Sequence, residues 1–308
     1  MPDTALHALL AGAVDYAGLF PPAALPMGEA VANYAEYLRG PDAWALGRFV
    51  VPVARLAELE QSAAASAPRV PAAPWRLSAL VGANTVEDLH ALGEFNCRHA
   101  AAEAPALSAD AVEAKAGSVA DVERVLAAVP KWAEAYIEVP LAEDPRPLIE
   151  AIARLGGRAK IRTGGVTADV FPTAAQVLRF LRACAELRVP FKATAGLHHP
   201  LRAEYRLTYA GDSPTGVMFG YLNVFLTAIL LRPTALPDAD ALALLEERSP
   251  GAFRFNPDAI HWRDYRVDRQ TIETARRDGI VAFGSCSFVE PVGELRTTVG
   301  RSGGRTVR

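Results

Sequence analysis

Lysine is scarce in this chain. Of its 32 Lys and Arg residues only four are lysines, Lys115, Lys131, Lys160 and Lys192; the other 28 are arginines. Cysteine is scarce too. Cys97, Cys184 and Cys286 are odd in number and far apart, which argues against a disulfide framework and fits a reducing compartment. No basic tract accompanies the net charge of −3, so neither nucleic acid nor an anionic membrane surface is an expected partner. The longest apolar stretch, 219–231, holds Gly220 and Asn223; it is too short to span a bilayer and reads as a buried helix. The N-terminus, Met-Pro-Asp-Thr, lacks the basic region of a secretory signal. No His-x-His or His-x-x-x-His pair occurs among the six histidines. What is present is a chain 51% hydrophobic and 22% charged, the composition of a globular protein, here expected to be cytoplasmic.

From residue 48 onward short β-like runs alternate with amphipathic segments. The runs are 48–53, 76–82, 110–116, 135–139, 158–163, 190–195, 259–263 and 280–286. Between them, 85–99, 119–129, 145–155, 173–187 and 270–277 carry apolar residues three and four apart. Eight such units predict an α/β fold, a (β/α)8 TIM barrel. An open doubly wound sheet is the alternative, weakened because Pro-Val-Ala-Arg follows Val51 where a glycine-rich dinucleotide turn would stand. The expected organisation is a single domain over 1–308. Residues 1–47 form an N-terminal helical extension packing on the barrel, 48–299 the barrel itself and 300–308 a frayed tail. A long loop is expected at 63–74.

Side chains alternate across a strand, and barrel strands bury their apolar outer face beneath helices. Val112, Ala114 and Ala116 share one face, so Glu113 and Lys115 face inward. The same reasoning turns Glu138, Lys160, Arg162, Lys192 and Thr194 into the barrel interior. Two carboxylates, three lysines and an arginine thus converge on one cavity. A purely structural ion-pair network (Glu113 with Lys115 or Lys160, Glu138 with Arg162) is the alternative, but buried pairs are weak devices for stability. Lysine, unlike arginine, can lose its proton and attack a carbonyl. A desolvated lysine beside another cation has a lowered pKa, and a nearby carboxylate can shuttle protons.

The run Phe-Lys-Ala-Thr-Ala-Gly around Lys192 resembles the class I aldolases of barrel fold, nearest in wording to deoxyribose-phosphate aldolase. The resemblance implies that Lys192, on the sixth strand, forms a Schiff base. It also implies that Lys160 depresses the pKa of Lys192 and that Glu138 transfers protons. Where that family carries a second lysine, on the following strand, this chain offers His261 and Arg263.

Other residues complete the candidate site. Arg162 before Thr163-Gly164-Gly165 suggests an anion clamp, because a guanidinium fork matches a carboxylate or phosphate and glycines admit backbone N–H groups. His198 and His199 open a stretch of weak periodicity up to Gly216, the mark of a lid; in extended chain only one of them faces the site. Ser285 and Cys286 line the end of the last run. The segment 15–22, Asp-Tyr-Ala-Gly-Leu-Phe-Pro-Pro, either covers the barrel mouth or plugs its base.

The expected function is lyase chemistry through a lysine Schiff base on a small anionic carbonyl compound, with no cofactor. Lys192, Glu138, Lys160, His198 and His199 act in catalysis. Arg162, Thr163, Gly164, Gly165, Glu113, Lys115, Thr194, Ser285 and Cys286 bind substrate. The alternative is a metal-dependent lyase, isomerase or hydrolase using Glu113, Glu138, a histidine and His261 or Asp264. Homo-oligomerisation is left open.

Overall fold

The computed structural model describes residues 4–66, 74–100, 107–232 and 236–302. Seven parallel strands follow in order around a barrel: β1 (Val14–Tyr16), β2 (Leu46–Pro52), β3 (Trp75–Leu80), β4 (Leu107–Lys115), β5 (Glu134–Glu138), β6 (Arg158–Arg162) and β7 (Phe191–Thr194). Two excursions interrupt the pattern. The first is an antiparallel hairpin, β8 (Ala203–Arg206) and β9 (Thr215–Met218). The second is a three-stranded antiparallel sheet, β10 (Phe253–Phe255), β11 (Ala259–Trp262) and β12 (Tyr265–Asp268). The chain then returns as β13 (Ile280–Ser285), which pairs with β7 on one side and β1 on the other and closes the barrel.

Helices surround it: α1 (Ala5–Leu10), α2 (Met27–Tyr37), α3 (Leu56–Ser66), α4 (Thr85–Ala100), α5 (Val119–Ala128), α6 (Arg146–Arg154), α7 (Ala174–Glu186), α8 (Tyr221–Leu230), α9 (Asp238–Leu245), α10 (Arg269–Asp278) and α11 (Val289–Ser302). Ser118 caps α5 as its position suggests, its hydroxyl accepting the Asp121 N–H at 3.1 Å. The outward strand residues Val112, Ala114, Ile137, Ile161, Ala193 and Phe283 are buried. Every residue of α8 is buried, with Tyr221 stacked on Phe283. Among the described residues no helix is long and apolar enough to cross a membrane.

The barrel begins and ends its strand count differently from the alternation in the sequence. Residues 1–47 do not merely pack against it, because they supply its first strand, Val14–Tyr16. That strand has three residues with Asp15 in the middle, too short to show a period of two. Run 259–263 is not a barrel strand. Its strand β11 pairs antiparallel on both sides, and only Arg263 and Asp264 separate it from β12, with Arg263 at φ 50, leaving no room for a crossover helix. Lys192 therefore lies on the seventh barrel strand, and strand order no longer supports the aldolase likeness. At the C-terminus, 300–302 complete α11, while 303–308 lie outside the described residues. Of the loop expected at 63–74, 63–66 are helical and 67–73 lie outside the described residues.

A β-bulge shapes the interior. Leu77 and Ser78 pair with Ala109 and Ala111, so Asp110 is an extra residue in β4. The bulge lets Asp110 and Glu113, three apart, serve the same interior. Asp110 receives Arg48 Nε at 2.6 Å and Arg76 Nη2 at 2.6 Å, and Arg48 also reaches Glu134 at 2.9 Å. Arg158 joins at 2.8 Å from Glu134. This lower network ties the N-terminal halves of β2 to β6 together beneath the site.

Candidate active site

Five side chains from four strands and the first strand of the barrel form an alternating row of charge: Asp15, Lys192, Glu113, Lys160 and Glu138. Lys192 Nζ lies 3.0 Å from Asp15 Oδ2 and in direct contact with Glu113. Lys160 Nζ lies 2.7 Å from Glu113 and 2.7 Å from Glu138. Glu113 thus bridges two ammonium groups. Ser78 completes the cluster, accepting from Lys192 Nζ at 2.9 Å and donating to Glu113 at 2.6 Å. The Tyr136 ring centroid is 4.8 Å from the same Nζ, a cation–π contact in a desolvated setting. Three carboxylates against two ammonium groups leave the row one negative charge in excess.

Neighbouring charge, acting against burial, decides the protonation states. It pushes the Glu113 carboxyl up, but Lys160 and Lys192 overcome it and hold the group well below the usual carboxylate range. Burial likewise works against the Lys192 ammonium, yet Asp15 and Glu113 raise its pKa above the ordinary lysine value. This corrects the expectation that Lys160 depresses Lys192. Glu113 stands between the two lysines and screens one from the other, so the resting Lys192 is a held ammonium.

Asp15 is positioned by its neighbour strand. Its Oδ1 accepts the Arg48 N–H at 2.8 Å, which leaves Oδ2 for Lys192. Gly47 makes room for this. A Cβ there would meet the Asp15 carboxylate directly and sit 3.0 Å from the Gly12 carbonyl. Gly47→Ala is therefore expected to cost about 1–3 kcal/mol through displacement of Asp15 and β1, read as a lowered midpoint in thermal unfolding; an unchanged midpoint would show that Asp15 is not held this way.

The row forms the floor of a cavity of about 1050 Å³ that opens at the C-terminal end of the strands. Phe20, Pro21 and Pro22 line one wall, so the Pro-rich part of segment 15–22 stands at the cavity, while Asp15 of the same segment is buried against Lys192 and does not plug the barrel base. The β8–β9 hairpin supplies Tyr205 and Arg206 from its first strand and Tyr209 from its connecting loop. Lys115, Arg162 and Arg206 also line the cavity, and among the described residues none has a carboxylate within ion-pair distance.

Of the residues singled out from sequence, Lys192, Lys160, Glu113, Glu138, Lys115, Arg162, Gly165, Thr194, His198, His199 and Cys286 line this cavity. Lys115 and Arg162 are exposed at its mouth, so Lys115 is not the buried lysine its apolar run suggests. The remaining three stand behind the wall. Thr163 donates to the Ala195 carbonyl at 2.5 Å, Gly164 lies against the Phe171 ring, and Ser285 Oγ is 3.0 Å from His198 Nδ1. Glu138 pairs with Lys160, and Arg162 Nε instead donates to the Gly164 carbonyl at 3.0 Å.

Both histidines reach the cavity, although an extended chain would turn one away. Ala195 and Gly196 adopt positive φ (56° and 73°), and the bend they start removes the strand alternation. Burial, then the neighbouring His199, lowers the His198 pKa to about 4, leaving a neutral imidazole at neutral pH. Burial raises the Cys286 thiol, whose sulfur is 3.5 Å from Tyr209 Oη and 3.8 Å from His198 Nδ1, so it is no thiolate at rest.

Asp15, Ser78, Tyr136 and Glu290 are site residues that sequence reasoning missed. Ser78 had a signal, since it shares the face of Arg76 and Leu80 in a β-like run and alternates with the apolar Leu77 and Ala79. His261 lies in the antiparallel sheet and Asp264 in the turn between its strands β11 and β12, so both leave the candidate metal set. Among the described residues, the metal-ligating side chains that converge are His199, Glu290 and Glu294, not Glu113 or Glu138. The architecture is that of a TIM barrel with a charged floor, and no protein-family model, curated protein or solved structure matches the chain.

Proposed function

We propose that this chain is an enzyme that acts on a small anionic carbonyl compound through an iminium on Lys192. One observation carries the reading: a lysine at 2% exposure sits on the cavity floor between two carboxylates. A site that stabilises an ammonium nitrogen there also stabilises an iminium nitrogen at the same point, since the positive charge does not move.

The steps follow from the row. Glu113 takes one proton from the Lys192 ammonium, and Lys160 keeps the opposite Glu113 oxygen charge-balanced. The neutral amine attacks the carbonyl carbon, and the proton that the attacking nitrogen sheds passes to the oxygen, giving a carbinolamine. The proton held on Glu113 then passes to the carbinolamine hydroxyl, which leaves as water, and the protonated imine faces the Asp15 and Glu113 carboxylates. Electrons from a carbon–carbon or carbon–hydrogen bond adjacent to that carbon then flow into the iminium, giving an enamine. Glu138, the most exposed of the three carboxylates in the row, moves the substrate's own protons. Lys115, Arg162 and Arg206 supply charge for the distal anionic group, since all three line the cavity and none has a carboxylate at ion-pair distance among the described residues. Carbon–carbon cleavage or condensation and a related dehydration share this enamine, and the chemistry requires no cofactor.

Borohydride reduction across a panel of aldehydes and 2-oxo acids tests it, read by intact mass and peptide mapping. A substrate-sized adduct on Lys192, absent without borohydride, is the expected result. An adduct confined to Lys160 or to none of the lysines overturns the assignment.

A further inference from the structure

We infer that His199, Glu290 and Glu294 form a binding site for a divalent cation of the zinc or manganese class on the wall of the same cavity. Glu290 and Glu294 are one turn apart on α11 and share a face. His199 comes from the bend after β7, and one ligand atom from each of the three residues lies within 4.8 Å of the others. The closest approach is His199 Nδ1 to Glu294 Oε2 at 2.8 Å. Glu290 Oε2 also receives the Tyr209 hydroxyl at 3.2 Å and lies 3.9 Å from His198 Nδ1.

The charge pattern is what points to a cation. Two carboxylates one helical turn apart repel each other. Neither has a lysine or arginine within ion-pair distance among the described residues, in a chain that carries 28 arginines. Other partly buried carboxylates are handled differently: Asp110, Glu134 and Glu60 each hold an arginine. Two carboxylates beside an imidazole nitrogen present two negative charges and a nitrogen donor, the complement of a divalent ion.

His199 is built into place. It is 8% exposed, its carbonyl accepts the Tyr221 N–H at 3.0 Å, and its ring stacks on Tyr205 at 3.4 Å and 10°. The carboxylates, being partly exposed, can close to bonding distance by side-chain rotation alone. One nitrogen and two carboxylates form a mixed donor set suited to zinc or manganese, whereas magnesium and calcium favour oxygen alone. Three protein ligands leave coordination positions open, as in sites that take up a substrate or water. His199 and Glu290 both line the cavity, so those positions face its interior. The inference stands independently of iminium formation, because none of the three residues touches the Lys192 row in the steps above.

The test is calorimetric titration of the full chain, stripped with chelator and dialysed, with Zn²⁺ and separately with Mn²⁺. It is repeated on Glu290→Gln and Glu294→Gln, with the fold of each variant checked by thermal unfolding. One saturable site is expected, weakened at least about tenfold in each variant, since even outer-shell partners of metal ligands are worth that much. Absence of saturable binding of both ions, or affinity unchanged in either variant, overturns the site. Neither outcome bears on borohydride trapping at Lys192, which uses other residues.

Discussion

Glu113→Ala is expected to lower the unfolding midpoint by about 10 °C at neutral pH. The variant removes the carboxylate shared by Lys160 and Lys192, at 5% and 2% exposure, and leaves two ammonium groups closer to uncompensated. Breaking a buried pair from one side costs about 3–5 kcal/mol, and each kcal/mol is worth roughly 2–4 °C in a protein of this size class. Replacing the whole row with matched apolar side chains would be far milder, because the desolvation of the charges disappears with the charges.

The pH dependence carries the same signature. Glu113 has its folded pKa lowered, so its contribution is present above the unfolded carboxylate value near 4.3 and is lost as pH falls further. Lys192 has its folded pKa raised, so its contribution is complete below about 10.4 and is lost as pH climbs through the higher folded value. The native chain should therefore hold a broad plateau of stability between these limits. Glu113→Ala should lower that plateau and weaken its acid limb. Thermal unfolding at a series of pH values checks both, and a variant whose midpoint stays within about 2 °C of the native one would refute the bridging role.

Lys192→Arg should abolish the borohydride adduct while leaving the chain folded. Arginine retains the positive charge that Asp15 and Glu113 require, but its guanidinium does not lose a proton and cannot form an imine. The larger head in a buried site costs about 1–3 kcal/mol from overpacking, a drop of several degrees and not a loss of the fold. Lys192→Met separates the roles from the other side. It removes nucleophile and charge together, so it should lose the adduct and also destabilise the chain by leaving Asp15 and Glu113 facing each other. A purely structural lysine predicts that the arginine variant keeps whatever carbonyl reactivity the native chain has. Peptide mapping after reduction of both variants decides between these outcomes.

Much of the floor was legible from alternation alone. Val112 and Ala114, Ile137, Ile161 and Ala193 identify the outward face of four successive strands, and Glu113, Glu138, Lys160 and Lys192 must then point inward. Other features escaped because their signal is not periodic. A three-residue strand shows no alternation, so Asp15 carried no mark of being Lys192's partner. The antiparallel β11 has the same local pattern as a barrel strand, and only its pairing with β10 and β12 separates the two. His198 and His199 share the cavity because positive φ at Ala195 and Gly196 breaks the extended geometry on which their opposition was argued.

The sequence by itself determined the parallel barrel and the presence of a charged interior, because both follow from periods of two and three to four that any compact burial of this chain must respect. Only the tertiary structure decided which charge meets which. Ion pairing in the floor depends on strand register, on the bulge at Asp110 and on barrel closure through β1 and β13, all of which join residues far apart in the chain. Lys192 and Asp15 are 177 positions apart and still lie 3.0 Å from each other, a contact no local pattern encodes.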